Sequence, residues 1–219
     1  MNKLLQKHFG FQEIEIKQLN GYDNANYLIK AESGKFIFKT YSLNTGSIAL
    51  VEAENETLLF LQNMKKNKFP KPIPFIDGSL VKALEIAGQE TICRMLSFLE
   101  GESLGEVPHS KILFQSFGVF LAQMNMKLQA FNNDTIKARQ WEWGIQYLYM
   151  NEKYISDIDD LKDRNIVNHF FQQFEENVSP VLDKLRKSII HNDANEWNVL
   201  VNNGEISGLI DFGDLAYSP

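Results

Sequence analysis

Cysteine is almost missing from this chain: Cys93 stands alone among 219 residues. A single thiol excludes an internal disulfide framework and any cysteine-based zinc site. Proline is scarce at 6 residues, and Pro70, Pro72 and Pro74 crowd into one short segment. Positive charge is in deficit, with 22 Lys+Arg against 28 Asp+Glu and a net charge of −6. That balance argues against non-specific binding to DNA or RNA, which needs excess Lys and Arg to displace counterions. No window approaches the roughly 18 consecutive apolar residues of a membrane span. The Leu4-Leu5 pair is too short an apolar run for the core of a secretory signal. The absences describe a cytoplasmic globular protein with neither nucleic acid nor membrane as partner. What is present agrees, since 44% hydrophobic residues are too many for a disordered chain. The length suits one large domain or two small lobes.

Charge is unevenly spread. Residues 1–98 hold 12 Lys+Arg and 10 Asp+Glu, whereas residues 99–219 hold 10 and 18. A solvated acidic surface explains such a half, and so does a site for a metal or a cationic substrate.

The first half reads as strands followed by one helix. Residues 13–19 alternate apolar and polar, with Ile14 and Ile16 on one face, as a half-buried strand does. Tyr27-Leu28-Ile29 and Phe36-Ile37-Phe38 are β-prone runs joined by the turn Glu32-Ser33-Gly34-Lys35. Leu50, Ala53, Thr57, Leu58 and Leu61 recur at helical spacing, with Lys65-Lys66 near the C-terminal end. The three prolines then force an extended connection. Two further strands are expected over 78–86 and 89–96. Residues 98–105, with Gly101 and Gly105, read as a linker. Beyond it Phe114, Phe117, Leu121, Met124 and Leu128 form one helical stripe, and Val167, Phe170, Phe171, Phe174 and Val178 another. Both stripes are expected to face a core. Strands return at 198–201 and 206–210 around Asn202-Asn203-Gly204-Glu205, an Asn-Gly hairpin.

The most informative run is Ser188 to Val201. An apolar strand enters the polar loop His191-Asn192-Asp193-Ala194-Asn195-Glu196-Trp197-Asn198 and a second apolar strand leaves it. After the hairpin, Gly208-Leu209-Ile210-Asp211-Phe212-Gly213-Asp214 again delivers carboxylates at a strand end. Phosphoryl transfer to a hydroxyl needs a carboxylate to orient or deprotonate the acceptor, and hard oxygen ligands for a metal on the nucleotide phosphates. Asp193 suits the first role, and Asn198 and Asp211 suit the second. Trp141-Glu142-Trp143 opens a helical segment that suits either an acceptor pocket or plain packing.

The pattern His-x-Asp-x4-Asn followed by an Asp-Phe-Gly aspartate resembles the kinase signature set. Asn192 stands where protein kinases favour arginine. The runs 189–201 and 208–214 instead resemble the aminoglycoside phosphotransferase/choline kinase superfamily, and with residues 21–30 they are most similar to its hydroxylysine kinase group. The resemblance implies an α+β, bilobal, protein-kinase-like fold. A β-rich nucleotide-binding lobe would span 1–98 and a mainly helical catalytic lobe 99–219, the latter truncated just after its Asp-Phe-Gly-Asp motif. It implies ATP or GTP with Mg2+ as cofactors and a small hydroxylated amine as substrate. Asp193 becomes the catalytic base and His191 supports its loop. Asn198 and Asp211 become metal ligands, and Asp214 is a further acidic candidate. Lys39 matches the phosphate-binding lysine. Its expected partner is an acid on the following helix, with Glu54 favoured over Glu52 and Glu56. Gly21, Asn24 and Asn26 would cover the phosphates, and backbone groups of the strand 94–99, with Leu96 and Phe98, would hold the purine at the hinge. The alternative is an inactive nucleotide-binding module, or a fragment of a larger enzyme whose shortened lobe is covered by an oligomer partner or a further C-terminal domain.

Overall fold

The computed structural model describes residues 1–19, 25–43, 47–64 and 68–219. The chain divides into two compact units, one of residues 1–124 with 194–213, the other of residues 125–193 with 214–219. The architecture is mixed α+β.

In the first unit, helix α1 (Asn2–Phe9) ends on Gly10, whose φ of 78° is the left-handed conformation that closes a helix. Strands β1 (Ile14–Leu19), β2 (Ala25–Ala31) and β3 (Gly34–Ser42) follow, then helix α2 (Ser47–Leu61). Strands β4 (Pro72–Ile73), β5 (Lys82–Ile86) and β6 (Gln89–Ser97) complete an antiparallel sheet. Its order among the described residues is β1-β2-β3-β6-β4, with β5 also on β6. The residues expected to be strands are strands here because their alternation gives the sheet two different faces. Phe38, Cys93 and Met95 point to one face and pack with Leu5, Phe11, Ile29 and Phe75. Lys39, Tyr41, Ile92 and Arg94 lie on the other face, where Tyr41 and Ile92 meet Val51 of α2.

The segment read as a linker is partly ordered into the sheet system. Glu102–Ser103 form β7, which pairs with β9 (Val199–Asn202) through Glu102↔Val201 and Ser103↔Leu200. Its backbone groups find partners on a strand nearly a hundred residues away, which no local pattern announces. Strand β10 (Glu205–Leu209) returns beside β9 across a two-residue turn in which Asn203 and Gly204 have φ of 51° and 75°. Those values are what an Asn-Gly turn supplies at little cost. Lys68 anchors the hairpin: its Nζ donates to the Ile206 carbonyl at 2.6 Å, and its own carbonyl accepts from Leu209 N at 2.9 Å. Phe69 stacks on Phe120 and meets Phe212 edge-on, at centroid separations of 5.6 and 5.9 Å.

Helix α3 (Lys111–Leu128) carries the chain into the second unit. Its buried residues are Leu113, Phe120, Met124 and Leu128, whereas Phe114 is 49% exposed. The apolar stripe therefore lies one residue out of phase with the expected one in the helix's first half. The second unit holds α4 (Asp134–Ala138), a 3-10 segment over Ile145–Asp157, α5 (Leu161–Asn177) and a two-stranded sheet of β8 (Ser188–Ile190) with β11 (Ala216–Ser218). Gln146 and Arg139 side chains donate to the Tyr217 and Leu215 carbonyls at 2.5 and 3.1 Å, pinning β11. The expected stripe of α5 is only half-buried within its unit, and Phe170 is exposed. Among the described residues, no helix is long and apolar enough to cross a membrane.

Candidate active site

The second unit presents His191 and Asp193 on one tight loop. His191 is buried, and its Nδ1 accepts a hydrogen bond from the Asp193 backbone N–H at 3.3 Å. Between them Asn192 has φ of 67°, a left-handed conformation that asparagine tolerates better than most residues. The turn therefore folds the Asp193 backbone onto the imidazole and presents a half-buried carboxylate. Asp214, half-buried, belongs to this unit too. Glu142 pairs with Lys153 at 2.9 Å, and Trp143 beside it is exposed.

The first unit holds the remaining described candidates. Asn198 is buried at the start of β9, and its position is set by Asn195. The Asn195 Oδ1 accepts from the backbone N–H groups of Trp197 and Asn198 at 2.9 and 3.2 Å, a local Asx turn. The Asn198 carbonyl in turn accepts from Ile210 N at 2.9 Å, tying this loop to the one that bears Asp211. Asp211 adopts φ of 62°, and Phe212 beneath it is buried as a 3-10 turn begins. The pairing aims the Asp211 carboxylate at Lys39, whose Nζ lies 2.9 Å from Oδ1.

Lys39 does not pair with Glu54. The Glu54 carboxylate is bonded to Arg94 Nη2, and Arg94 Nη1 donates to Asn55 Oδ1 at 3.1 Å. Strand register explains this. Lys39 and Arg94 are directly opposite on β3 and β6, so both cations occupy the same sheet face beside α2. Burial disfavours the Lys39 ammonium, yet Tyr41, Asp211 and Glu54 outweigh it and hold the pKa above the usual lysine value, with Arg94 opposing. Burial also opposes the Arg94 charge, and Glu54 and Tyr41 together more than offset it. Burial raises the Tyr41 hydroxyl against the pull of Arg94 and Lys39.

Gly21 and Asn24 lie outside the described residues. Asn26 sits opposite Lys39 in the β2–β3 register, and its Oδ1 is buried without a hydrogen-bond partner among the described residues. At the strand end, Leu96 is buried. The Ser97 and Phe98 backbone N–H groups donate to the Lys71 and Lys35 carbonyls at 2.8 and 3.2 Å. Those two amides are thus already engaged within the sheet.

Asn198 and Asp211 are hard oxygen donors on loops joined by a backbone hydrogen bond. Among the described residues, no group of three or more His, Cys, Asp or Glu could hold a metal ion. That donor set fits a Mg2+-like ion completed by phosphate oxygens and water rather than an all-protein cage. Arg94, Asn55, Tyr41 and Asn195 were not picked out in the sequence as site residues. For Arg94 a signal existed: it is the sole charge in Thr91-Ile92-Cys93-Arg94-Met95-Leu96, and a charge inside a buried strand needs a buried counter-charge.

Comparison with known proteins places the chain among phosphotransferases. Over 245 aligned residues the chain is 26% identical to hydroxylysine kinase of Mus musculus, covering 98% of this chain and 63% of that protein. Two solved structures share the fold. An amicoumacin kinase in complex with AMP-PNP, Ca2+ and Ami matches with a TM-score of 0.72 and 20% identity, over 99% of this chain and 64% of its own. A microcompartment-associated aminopropanol kinase matches with a TM-score of 0.76 and 17% identity, over 99% and 69%. The chain thus spans a little under two thirds of the length of the hydroxylysine kinase it matches. The APH family of phosphotransferase enzymes matches residues 15–219, nearly all of the sequence. The chain belongs to that phosphotransferase enzyme family.

Proposed function

We propose that this chain carries the nucleotide-binding and catalytic parts of a small-molecule kinase. It would transfer the γ-phosphoryl group of ATP or GTP to the hydroxyl of a small amine or amino alcohol resembling hydroxylysine. The observation that carries the reading is the Lys39–Asp211 ion pair, with Asp211's loop tied by a backbone hydrogen bond to that of Asn198. A strand lysine, an Asp-Phe-Gly aspartate and a loop asparagine are what phosphate and its metal require. The bound nucleotide in the amicoumacin kinase and the hydroxyl acceptors of the other relatives support the same chemistry.

In this mechanism Lys39 binds phosphate oxygens and Asn26 lends its buried amide oxygen to orient the covering loop. Gly21 and Asn24 complete that loop, and the strand end from Leu96 to Phe98 borders the purine. A divalent cation such as Mg2+, held by Asn198 and Asp211, would neutralise charge on the phosphates. Asp193 accepts the proton of the acceptor hydroxyl as its oxygen bonds to the γ-phosphorus. The bond from that phosphorus to the β–γ bridging oxygen breaks, and the nucleoside diphosphate leaves. His191 positions Asp193 through the bond to its backbone N–H, and Asp214 is the reserve acid of the same region. Functionally, residues 1–98 form the nucleotide lobe and 99–219 the catalytic lobe of a cytoplasmic enzyme.

The test is turnover of ATP and GTP, with Mg2+, against hydroxylysine, ethanolamine and aminoglycosides. Asp193→Ala is expected to lower kcat about 10²–10⁴-fold while nucleotide binding persists. Wild-type protein that binds nucleotide and phosphorylates none of these amines would instead be an inactive nucleotide-binding module. Failure to bind either nucleotide would remove the kinase reading altogether.

A further inference from the structure

Four charges meet on the α2-facing side of the sheet, and they are not equivalent. Arg94 and Glu54 have side chains 1% and 8% exposed, whereas Lys39 and Asp211 are 9% and 52% exposed. One pair is sealed and the other opens to solvent through its carboxylate. The sealed pair is held more than once. Glu54 and Asn55, consecutive on α2, take separate guanidinium nitrogens, and Asn55 also donates to the Leu80 carbonyl at 3.4 Å. The Tyr41 ring lies 5.4 Å from the Arg94 guanidinium carbon and 5.9 Å from the Lys39 ammonium.

Two cations directly opposite one another across a strand pair repel. Each therefore needs its own counter-charge, and the partition decides which cation is free to move. A guanidinium can grip a carboxylate and an amide oxygen at once, which an ammonium on a flexible stem does poorly. Arg94 is suited to the fixed post on α2, and Lys39 is left to the partner on a half-exposed loop.

We infer that Arg94 is a positioning residue: by occupying Glu54 and Asn55 it keeps Lys39 off α2 and on Asp211, from which incoming phosphate and its metal ion release it. The inference rests on the kinase reading given above. The exchange conserves charge pairing, because Lys39 trades a carboxylate for a phosphate oxygen while Asp211 trades an ammonium for a metal cation. Neither group is left bare, and the sealed Arg94–Glu54 pair stays in place. If Arg94 lost its charge, Glu54 would be a buried carboxylate without a cation, and Lys39 on the neighbouring strand would be drawn to it.

Arg94→Met and Arg94→Gln test this in two ways. Crystal structures of the ligand-free variants should show Lys39 Nζ bonded to Glu54 rather than to Asp211. Calorimetry with ATP and Mg2+ should show affinity weakened about 10- to 100-fold, since phosphate must then pull Lys39 from a buried partner. Removing both members of the pair in R94M/E54Q avoids an unpaired buried charge, so Lys39 should return to Asp211 and affinity to within about threefold of wild type. A merely structural Arg94 would lower the melting temperature and leave the affinity of the folded protein unchanged. Lys39 still on Asp211 in both single variants, or a double variant no better than Arg94→Met, would overturn the inference. Wild-type protein that binds no nucleotide would remove the kinase reading and with it this role for Arg94, while the crystal comparison still reports separately which carboxylate Lys39 follows.

Discussion

Gly101 is the position where one added methyl group should do most damage. Its φ is 151°, within the range that side-chain-bearing residues avoid. A Cβ there would lie 2.6 Å from Ser207 Oγ, 3.0 Å from Leu200 Cβ and 3.1 Å from the Val201 carbonyl oxygen. Two costs follow for Gly101→Ala. Holding a non-glycine residue in this conformation costs about 1–3 kcal/mol. Forcing a methyl into filled space costs about 1–3 kcal/mol more. Ser207 can rotate, but its hydroxyl would leave the Glu100 carbonyl, to which it donates at 3.3 Å. Leu200 and Val201 cannot rotate away, because their strand is paired on both sides. The two costs sum to about 2–6 kcal/mol, and for a chain of this size each kcal/mol moves the melting temperature by about 2–4 °C, so a drop of roughly 4–24 °C is expected. The strain would also reach the candidate site, since β9 and β10 link Asn198 to Asp211 and Gly101 abuts both strands. Differential scanning calorimetry of Gly101→Ala, and of the same variant carrying Ser207→Ala, would separate the two costs. The second change should relieve the hydroxyl clash and leave the backbone cost together with the crowding against Leu200 and Val201. A melting temperature within about 2 °C of wild type would refute the reasoning.

Two further outcomes concern titration. Burial pushes the Cys93 thiol up to about 12, so thiolate is negligible at pH 8. A thiol reagent should label Cys93 only in denaturant; labelling of the native protein within minutes would contradict its burial. Lys82 and Ser79 lower the Asp77 carboxyl from its ordinary value of 3.8 to about 2. A depressed folded-state pKa stabilises above the unfolded value, and the contribution disappears as pH falls from about 4 through about 2. Thermal melts of wild type and Asp77→Asn should therefore converge across that window and differ most above it. A difference independent of pH would count against the Lys82 pairing.

Much of the site was legible because its signals are local. Lys39 follows Phe36-Ile37-Phe38 on a strand, and Asp193, Asn198 and Asp211 stand at strand ends or in the loops between them. The hairpin was readable from Asn203-Gly204, whose left-handed backbone few other pairs adopt so cheaply. The phase of α3 was not, since Phe114 and Leu113 are equally apolar and only packing chooses Leu113. Residues 98–105 looked like a linker because nothing in Glu102-Ser103 marks a strand that pairs with Val201 and Leu200.

The sequence by itself determined the longer strands and helices of the first half, the hairpin, the motif and the charges available, because each depends on residues near one another in the chain. Only the tertiary structure decided which acid serves which base. Lys39 faces Arg94 through a register between β3 and β6 fixed by backbone hydrogen bonds, and α2 sets Glu54 and Asn55 against the arginine. The pairing anticipated between Lys39 and Glu54 gave way because a second cation lay nearer the helix carboxylate. Arginine holds two acceptors at once in that dry place, and the lysine pairs with the more exposed Asp211 instead.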